Sequence, residues 1–234
     1  MQIVNEFNKK EYDIMKNKIN NEIQAVNSKI DFTLLDPRAT FADLEKLCDI
    51  AYKNGYYSVC VNPCNVSYVK GYIANNFGTG LKICSVAGFP LGASSTEVKC
   101  VEIKNAIADG ADEIDVVINI GRLKSGDYEY VKNELMKIRK VCKKHILKVI
   151  IETCYLDEND IVKMCNICAK CKVDFVKTST GFGNGGATEK DILLMYKTLN
   201  GKCLIKASGG IRDRKKAVDL ISLGAERIGT SHII

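Results

Sequence analysis

The sequence predicts an α/β fold of the (β/α)8, or TIM-barrel, type in a single domain. Three observations carry this reading. Short β-branched runs alternate with amphipathic helical patterns, and there are eight such runs. Their starts recur roughly every 25–30 residues, the length of one βα unit. No linker, proline-rich break or low-complexity tract interrupts the 234 residues. The rival fold, a doubly wound open sheet, usually carries a glycine-rich turn after its first strand; the segment "TLLDPRAT" at that place contains no glycine.

Taken in order, the chain begins with "MQIVNEFNKKEYDIMKNKINNEIQAV", in which Ile14, Ile19, Ile23 and Val26 stand among charges. This pattern predicts a helix over 1–27 that caps the bottom of the barrel. It lacks the apolar core of a signal peptide, and no apolar run reaches the ~18 residues of a membrane span. A cytosolic location without a membrane partner is expected. The expected strands are "KIDFTLL", "SVCVN", "KICSVAGF", "DEIDVVIN", "LKVIIET", "DFVKTST", "CLIKASG" and "RIGTS", and helical patterns between them centre near residues 47, 71, 103, 135, 164, 193 and 218. Thr188 and Asp191 open one helix as a variant of the capping box, and Gly55 and Gly224 stand where two helices should stop. The chain ends at Ile234, just past the eighth strand, so little is expected there by way of an eighth helix.

Composition narrows the function. With 46% hydrophobic and 26% charged residues the chain reads as an ordinary globular protein. The net charge of +6 suits a small anionic substrate. Its basic runs, "KIRKVCKKHILK" and "RDRKK", lie on predicted helices without the interleaved aromatics of a single-strand-binding surface, so no nucleic-acid partner is expected. Eleven cysteines without a secretion signal do not read as a disulfide framework. Cys165, Cys168 and Cys171 have part of an iron–sulfur spacing, but Phe175 stands where a fourth cysteine is wanted. Ile161, Met164, Cys165 and Cys168 instead form a helical core stripe. The two histidines, His145 and His232, form no metal-ligand cluster. Neither a metal nor any other cofactor is expected.

Catalytic groups of such a barrel lie near the C-terminal ends of its strands. Three ionisable residues meet that condition with inward parity: Asp115 shares a face with Val117, Lys177 with Phe175, and Lys206 with Leu204. Lys148 and Glu152, on the fifth strand, are further candidates of the same kind. Lysine is almost never buried without a partner, and two on neighbouring strands suggest a use. Burial and a second ammonium both favour the neutral form of an amine, which can attack a carbonyl. The resulting iminium is an electron sink for breaking or forming a neighbouring C–C bond, with Asp115 offsetting charge and relaying protons. The plain structural alternative makes Lys177 half of a buried ion pair with Asp115 or Glu152.

Three glycine-bearing loops follow late strands: "TGFGNGGA" (180–187), "SGG" (208–210) and "GTS" (229–231). Glycines let backbone N–H groups approach an anion, and the loops after strands seven and eight are the usual phosphate site of this barrel. Gly181, Gly183 and Gly186 match the spacing of the dinucleotide fingerprint. That fingerprint belongs to a first βα turn with an acidic residue ~20 positions on, where this chain has Lys206.

At these residues the chain closely resembles the deoxyribose-phosphate aldolase family of class I, Schiff-base-forming barrel enzymes. "IDFTLLDP", "SVCVNP", "VAGFPLG", "GADEIDVVINIGRLKSGDY", "LKVIIET", "DFVKTSTGFGNGGAT", "KASGGIR" and "RIGTS" occur in family order from about residue 30 to 231. The resemblance implies reversible cleavage of 2-deoxy-D-ribose 5-phosphate to acetaldehyde and D-glyceraldehyde 3-phosphate. By matched position it makes Lys177 the Schiff-base lysine, Lys206 the assisting second lysine and Asp115 the aspartate of the proton relay. Asp31 and Thr33 match positions lining the substrate pocket, and Gly209, Gly210, Ser231 and Thr180 match phosphate-loop positions. It also implies a homo-oligomer, dimer or tetramer. Phe32 departs from the family's usual histidine, and His232 departs from its usual "GTSSG". The tail also lacks a C-terminal tyrosine that some members carry, and weaker discrimination for the phosphate is the expected consequence. Two other readings remain: a Schiff-base barrel aldolase for a different phosphorylated sugar, and a phosphate-binding barrel without catalysis.

Overall fold

The computed structural model describes residues 24–234. The helix expected over 1–27 lies outside the described residues except for its last turn, at 24–27. Eight parallel strands close into a barrel in which each neighbours the next and β8 returns to β1. They are β1 (Ile30–Leu34), β2 (Ser58–Val61), β3 (Lys82–Ala87), β4 (Glu113–Val117), β5 (Ile146–Ile150), β6 (Phe175–Lys177), β7 (Leu204–Ser208) and β8 (Arg227–Thr230). Seven fall inside the expected runs, and β5 starts one residue before its own, at Ile146. Closure pairs Asp31 with Gly229, and Lys177 stands directly beside Lys206 across the β6–β7 ladder.

The helices are α1 (Phe41–Asn54), α2 (Val66–Asn76), α3 (Thr96–Ala108), α4 (Ile120–Lys124), α5 (Tyr128–Cys142), α6 (Glu158–Lys170), α7 (Glu189–Leu199) and α8 (Arg214–Ser222). Apart from the short α4, each buries one stripe against the sheet. In α1 that stripe is Leu44, Leu47, Cys48 and Ala51, and in α6 it includes the expected Ile161, Met164, Cys165 and Cys168. Burial of each large side chain stabilises by about 1.5–3 kcal/mol. Thr40 and Asp43 form a reciprocal capping box on α1, and Gly55 ends it in the left-handed region at φ 66°. The Thr188 hydroxyl accepts from the Asp191 N–H at the start of α7, as expected.

The short α4 was not expected. One helical pattern centred near 135 covers that connection, but the Asn119 side chain caps a separate turn by accepting from Arg122 N–H. Gly126, at φ 76°, then breaks it from α5. Among the described residues no helix follows β8, and none is long and apolar enough to cross a membrane.

The two faces of the sheet differ. Outward positions such as Val59, Ile83, Ile114, Val149, Val176, Ile205 and Ile228 belong to one apolar core with the helices. Inward positions are largely polar: Asp31, Ser58, Glu113, Asp115, Lys148, Lys177, Lys206 and Arg227 are all buried. A smaller apolar patch of Leu35, Cys60, Cys84 and Val86 lines the β2–β3 side. A barrel filled with charge rather than branched aliphatics is a departure from stability design, and it positions the site.

Candidate active site

A cavity of about 650 Å3 opens at the C-terminal ends of the strands. Lys177 forms part of its floor, and Thr33, Thr180, Gly209, Gly210 and Ser231 line its walls. The remaining expected site residues, Asp115, Lys206 and Asp31, lie just beneath, each fully buried. Register explains the gathering. Inward parity on β1, β4, β6 and β7 aims four side chains at the axis from four directions.

The centre of the cluster is the Asp115 carboxylate. Its Oδ2 accepts from Lys177 Nζ at 2.7 Å and from Lys206 Nζ at 2.8 Å. Its Oδ1 accepts from Lys148 Nζ at 2.8 Å and faces the Cys84 thiol at 3.1 Å. Lys206 also bonds Asp31, whose other oxygen accepts from Ser58 Oγ and from Arg227, both at 2.7 Å. Burial alone would raise the carboxyl of Asp115, but Lys148, Lys177 and Lys206 together hold it well below the usual range. For Asp31 burial is likewise outweighed by Lys206, Lys148 and Arg227. Burial would strip Lys206 and Lys148 of their protons. Against it, Asp115 and Asp31 hold Lys206 above its ordinary value, and Asp115, Cys84, Asp31 and Glu113 do the same for Lys148. Carboxylates held ionised beside ammonium groups held protonated make a matched set of proton acceptors and donors.

The loop after β6 is anchored from below. Glu152 takes a left-handed φ of 55° just past the end of β5, which swings its carboxylate up to accept from Thr180 Oγ1 and, at 3.2 Å, from Thr180 N–H. The expectation that Glu152 faces the lysines is therefore corrected: its backbone turns it toward the loop, and the buried partner of Lys177 is Asp115. On the opposite wall, Gly209 and Gly210 both have positive φ, 84° and 69°. Without a Cβ at either position, the backbone of this turn borders the cavity directly. Arg212 and His232 also border the cavity, and Ser231 Oγ lies 3.3 Å from His232 Nδ1.

Two inward residues were missed from the sequence, Glu113 and Arg227. Glu113 Oε2 joins Lys148 Nζ at 2.6 Å and Arg227 at 3.0 Å, and the Arg227 guanidinium lies over the Tyr57 ring, 3.5 Å from its centroid. Their parity with Asp115 and Gly229 was the available signal. The Phe32 departure falls outside the site: alternation turns it outward, where its ring meets Tyr56 at 5.3 Å. Two sets of candidate metal ligands have their atoms within 4.8 Å of one another, Cys60–Cys84–Asp115 and Asp31–Cys84–Glu113. In both, the carboxylates already face lysine or arginine cations, which a metal ion would have to displace.

Comparison with known proteins agrees with this fold. The profile of the DeoC/LacD family aldolases matches residues 13–229. The deoxyribose-phosphate aldolase of Finegoldia magna is 52% identical over 206 residues, 88% of this chain and 95% of that protein. That of Thermococcus kodakarensis is 52% identical over 204 residues, covering 86% and 91%. Among solved structures, the tetrameric deoxyribose phosphate aldolase from Aeropyrum pernix superposes with a TM-score of 0.82 at 34% identity, covering 89% of this chain and 87% of that one. With a cluster of buried lysines under an open cavity, and likeness of this extent along nearly the whole chain, the protein belongs to the DeoC/LacD family of aldolases.

Proposed function

We propose that the chain is a deoxyribose-phosphate aldolase that works through a Schiff base on Lys177. One observation carries the assignment of the nucleophile. Of the cations in the cluster, Lys177 alone borders the cavity, whereas Lys148 and Lys206 are fully enclosed.

The Lys177 amine attacks C1 of the open-chain 2-deoxy-D-ribose 5-phosphate. Lys206, held protonated, supplies through water the proton with which hydroxide departs, leaving an iminium. Asp115, held ionised, accepts the proton of the C3 hydroxyl through water. The C2–C3 bond breaks, its electron pair passes into the iminium, and D-glyceraldehyde 3-phosphate leaves. The enamine takes a proton at C2, and water releases acetaldehyde and restores the amine. Asp31 holds Lys206 in place, and Thr33 lines the wall beside it. The phosphate sits at Gly209, Gly210, Ser231 and Thr180, with Arg212 at the rim. The protein acts in the cytoplasm without a cofactor and assembles as a homo-oligomer, a reading supported by the tetramer of the Aeropyrum pernix relative.

Borohydride trapping with acetaldehyde followed by peptide mass mapping tests the assignment. An adduct on Lys177 is expected. An adduct on Lys206 exchanges the two lysine roles, and no adduct on active protein refutes the Schiff base.

A further inference from the structure

Six of the buried charged groups form a closed cycle of alternating sign. From Asp115 the contacts run to Lys148 at 2.8 Å, on to Glu113 at 2.6 Å, and to Arg227 at 3.0 Å. They continue to Asp31 at 2.7 Å, then to Lys206 at 2.5 Å, and return to Asp115 at 2.8 Å. Three carboxylates and three cations balance. Every member has a side chain at most 7% exposed, so bulk water screens the balance poorly. Lys177 is the seventh charge. It hangs on Asp115 at 2.7 Å outside the cycle, and nothing in the cycle is left over to neutralise its ammonium form.

We infer that Glu113 and Arg227, at the floor of the barrel and out of reach of substrate, are positioning residues that close a neutral ion cycle and thereby set the pH above which the Lys177 amine reacts. The inference rests on the assignment of Lys177 as the Schiff-base lysine. Breaking the cycle at its far side leaves Asp115, Lys206 and Lys177 in place but gives the cycle a net charge. Without Arg227 the cycle is net negative and retains a proton on Lys177. Without Glu113 it is net positive and expels that proton. The Cys60 thiol on β2 also feels Lys177, and the Cys84 thiol on β3 faces Asp115 and Lys148. Burial pushes the Cys84 thiol up, and its hydrogen bond with Cys60 draws the Cys60 thiol down. Tyr57 lies against Arg227, and burial raises its hydroxyl. All three residues are kept in every variant, and burial, the largest influence on Cys84 and Tyr57, is the same in each.

The test is the pH dependence of acetaldehyde trapping by borohydride in full-length wild type, Arg227→Gln, Glu113→Gln and the double variant. Trapping is read at the Lys177 peptide, and folding is checked by thermal melt. The rising limb is expected to move up by about one pH unit in R227Q and down by about one in E113Q, tenfold in rate at a fixed pH on the limb. It should return close to wild type in the double variant, which is again neutral. A merely structural role predicts lower melting temperatures with the limb unmoved, or both single variants moving the same way; either result overturns the inference. Each single variant strands one buried charge. If one fails to fold, the sign of the other and the position of the double variant still decide. Absence of label on Lys177 in wild type would instead refute the nucleophile assignment, so the two failures are distinct.

Discussion

Gly186 offers a sharp test of the proposed phosphate wall. A Cβ added there would lie 2.2 Å from the carbonyl oxygen of Gly209 and 2.4 Å from its carbon. Its φ is outside the left-handed region, so the penalty for Gly186→Ala is spatial and owes nothing to backbone preference. The obstructing atoms are main chain, and the Ala187 N–H already donates to the carbonyls of Ser208 and Gly209 at 3.0 and 3.1 Å. The loop after β6 and the loop after β7 must therefore part by roughly 1 Å before ordinary contact is restored. Overpacking of this kind destabilises by about 1–3 kcal/mol. A displacement of ~1 Å in a binding wall is enough to weaken transition-state contacts up to ~100-fold. The expected result is a KM for deoxyribose 5-phosphate raised about tenfold or more, about 1.4 kcal/mol, with kcat reduced far less. Turnover of unphosphorylated deoxyribose should stay near wild type, because Lys177 and Asp115 do not move. An unchanged KM, or equal loss on both sugars in a folded variant, would refute the placing of phosphate between these loops.

Replacing Lys177 by leucine should abolish turnover while lowering Tm by only a few degrees, since Asp115 keeps Lys148 and Lys206 as partners; substantial residual activity contradicts the mechanism. Acid sensitivity should be confined to low pH. The folded-state values of Asp31 and Asp115 lie below the unfolded carboxylate value of ~3.9, so their contribution is complete above that value and lost as pH falls through the folded values. Melting scans should show no loss from these groups between about pH 7 and 5 and a decline below about 4; a decline beginning near 6 points to other groups. Gly71→Ala in α2 places a methyl in open space in a helix interior and should stabilise by about 0.5–1 kcal/mol; a fall in Tm contradicts the helix geometry.

The barrel was readable because each βα unit repeats a local signal: a β-branched run, a turn and a periodic helix. The inward parity of Lys177, Lys206 and Asp115 was readable for the same reason, since alternation along a strand is local. The parity of Glu113 and Arg227 was equally local, but their partners were not. An acidic or basic residue at the start of a strand looks like a solvated end until the far side of the barrel is in place. Only closure across β1 and β8 shows that Arg227 meets Asp31 and Glu113. Glu152 was misread because alternation was extended past the true end of β5, into a residue with left-handed backbone. The short α4 was hidden because five residues are too few to register a helical period.

Closure of the cylinder also governs when chemistry can appear during synthesis. Asp31 emerges from the ribosome early, yet its partners Lys206 and Arg227 follow 175 and 196 residues later. Until they arrive, an ionised Asp31 has only the more distant Lys148, at 3.7 Å, of its three buried cations, and sealing it from water is unfavourable. The nascent chain must then keep its first and last strands apart, or loosely associated, with the interior wet. Contacts of such long sequence separation also make the final step slow. The last β-strand to dock at once closes the cylinder, dries the interior and completes the set of charges around Asp115, so a chain stalled or cut before Arg227 would carry every lysine named above and still be unable to form the ion cycle.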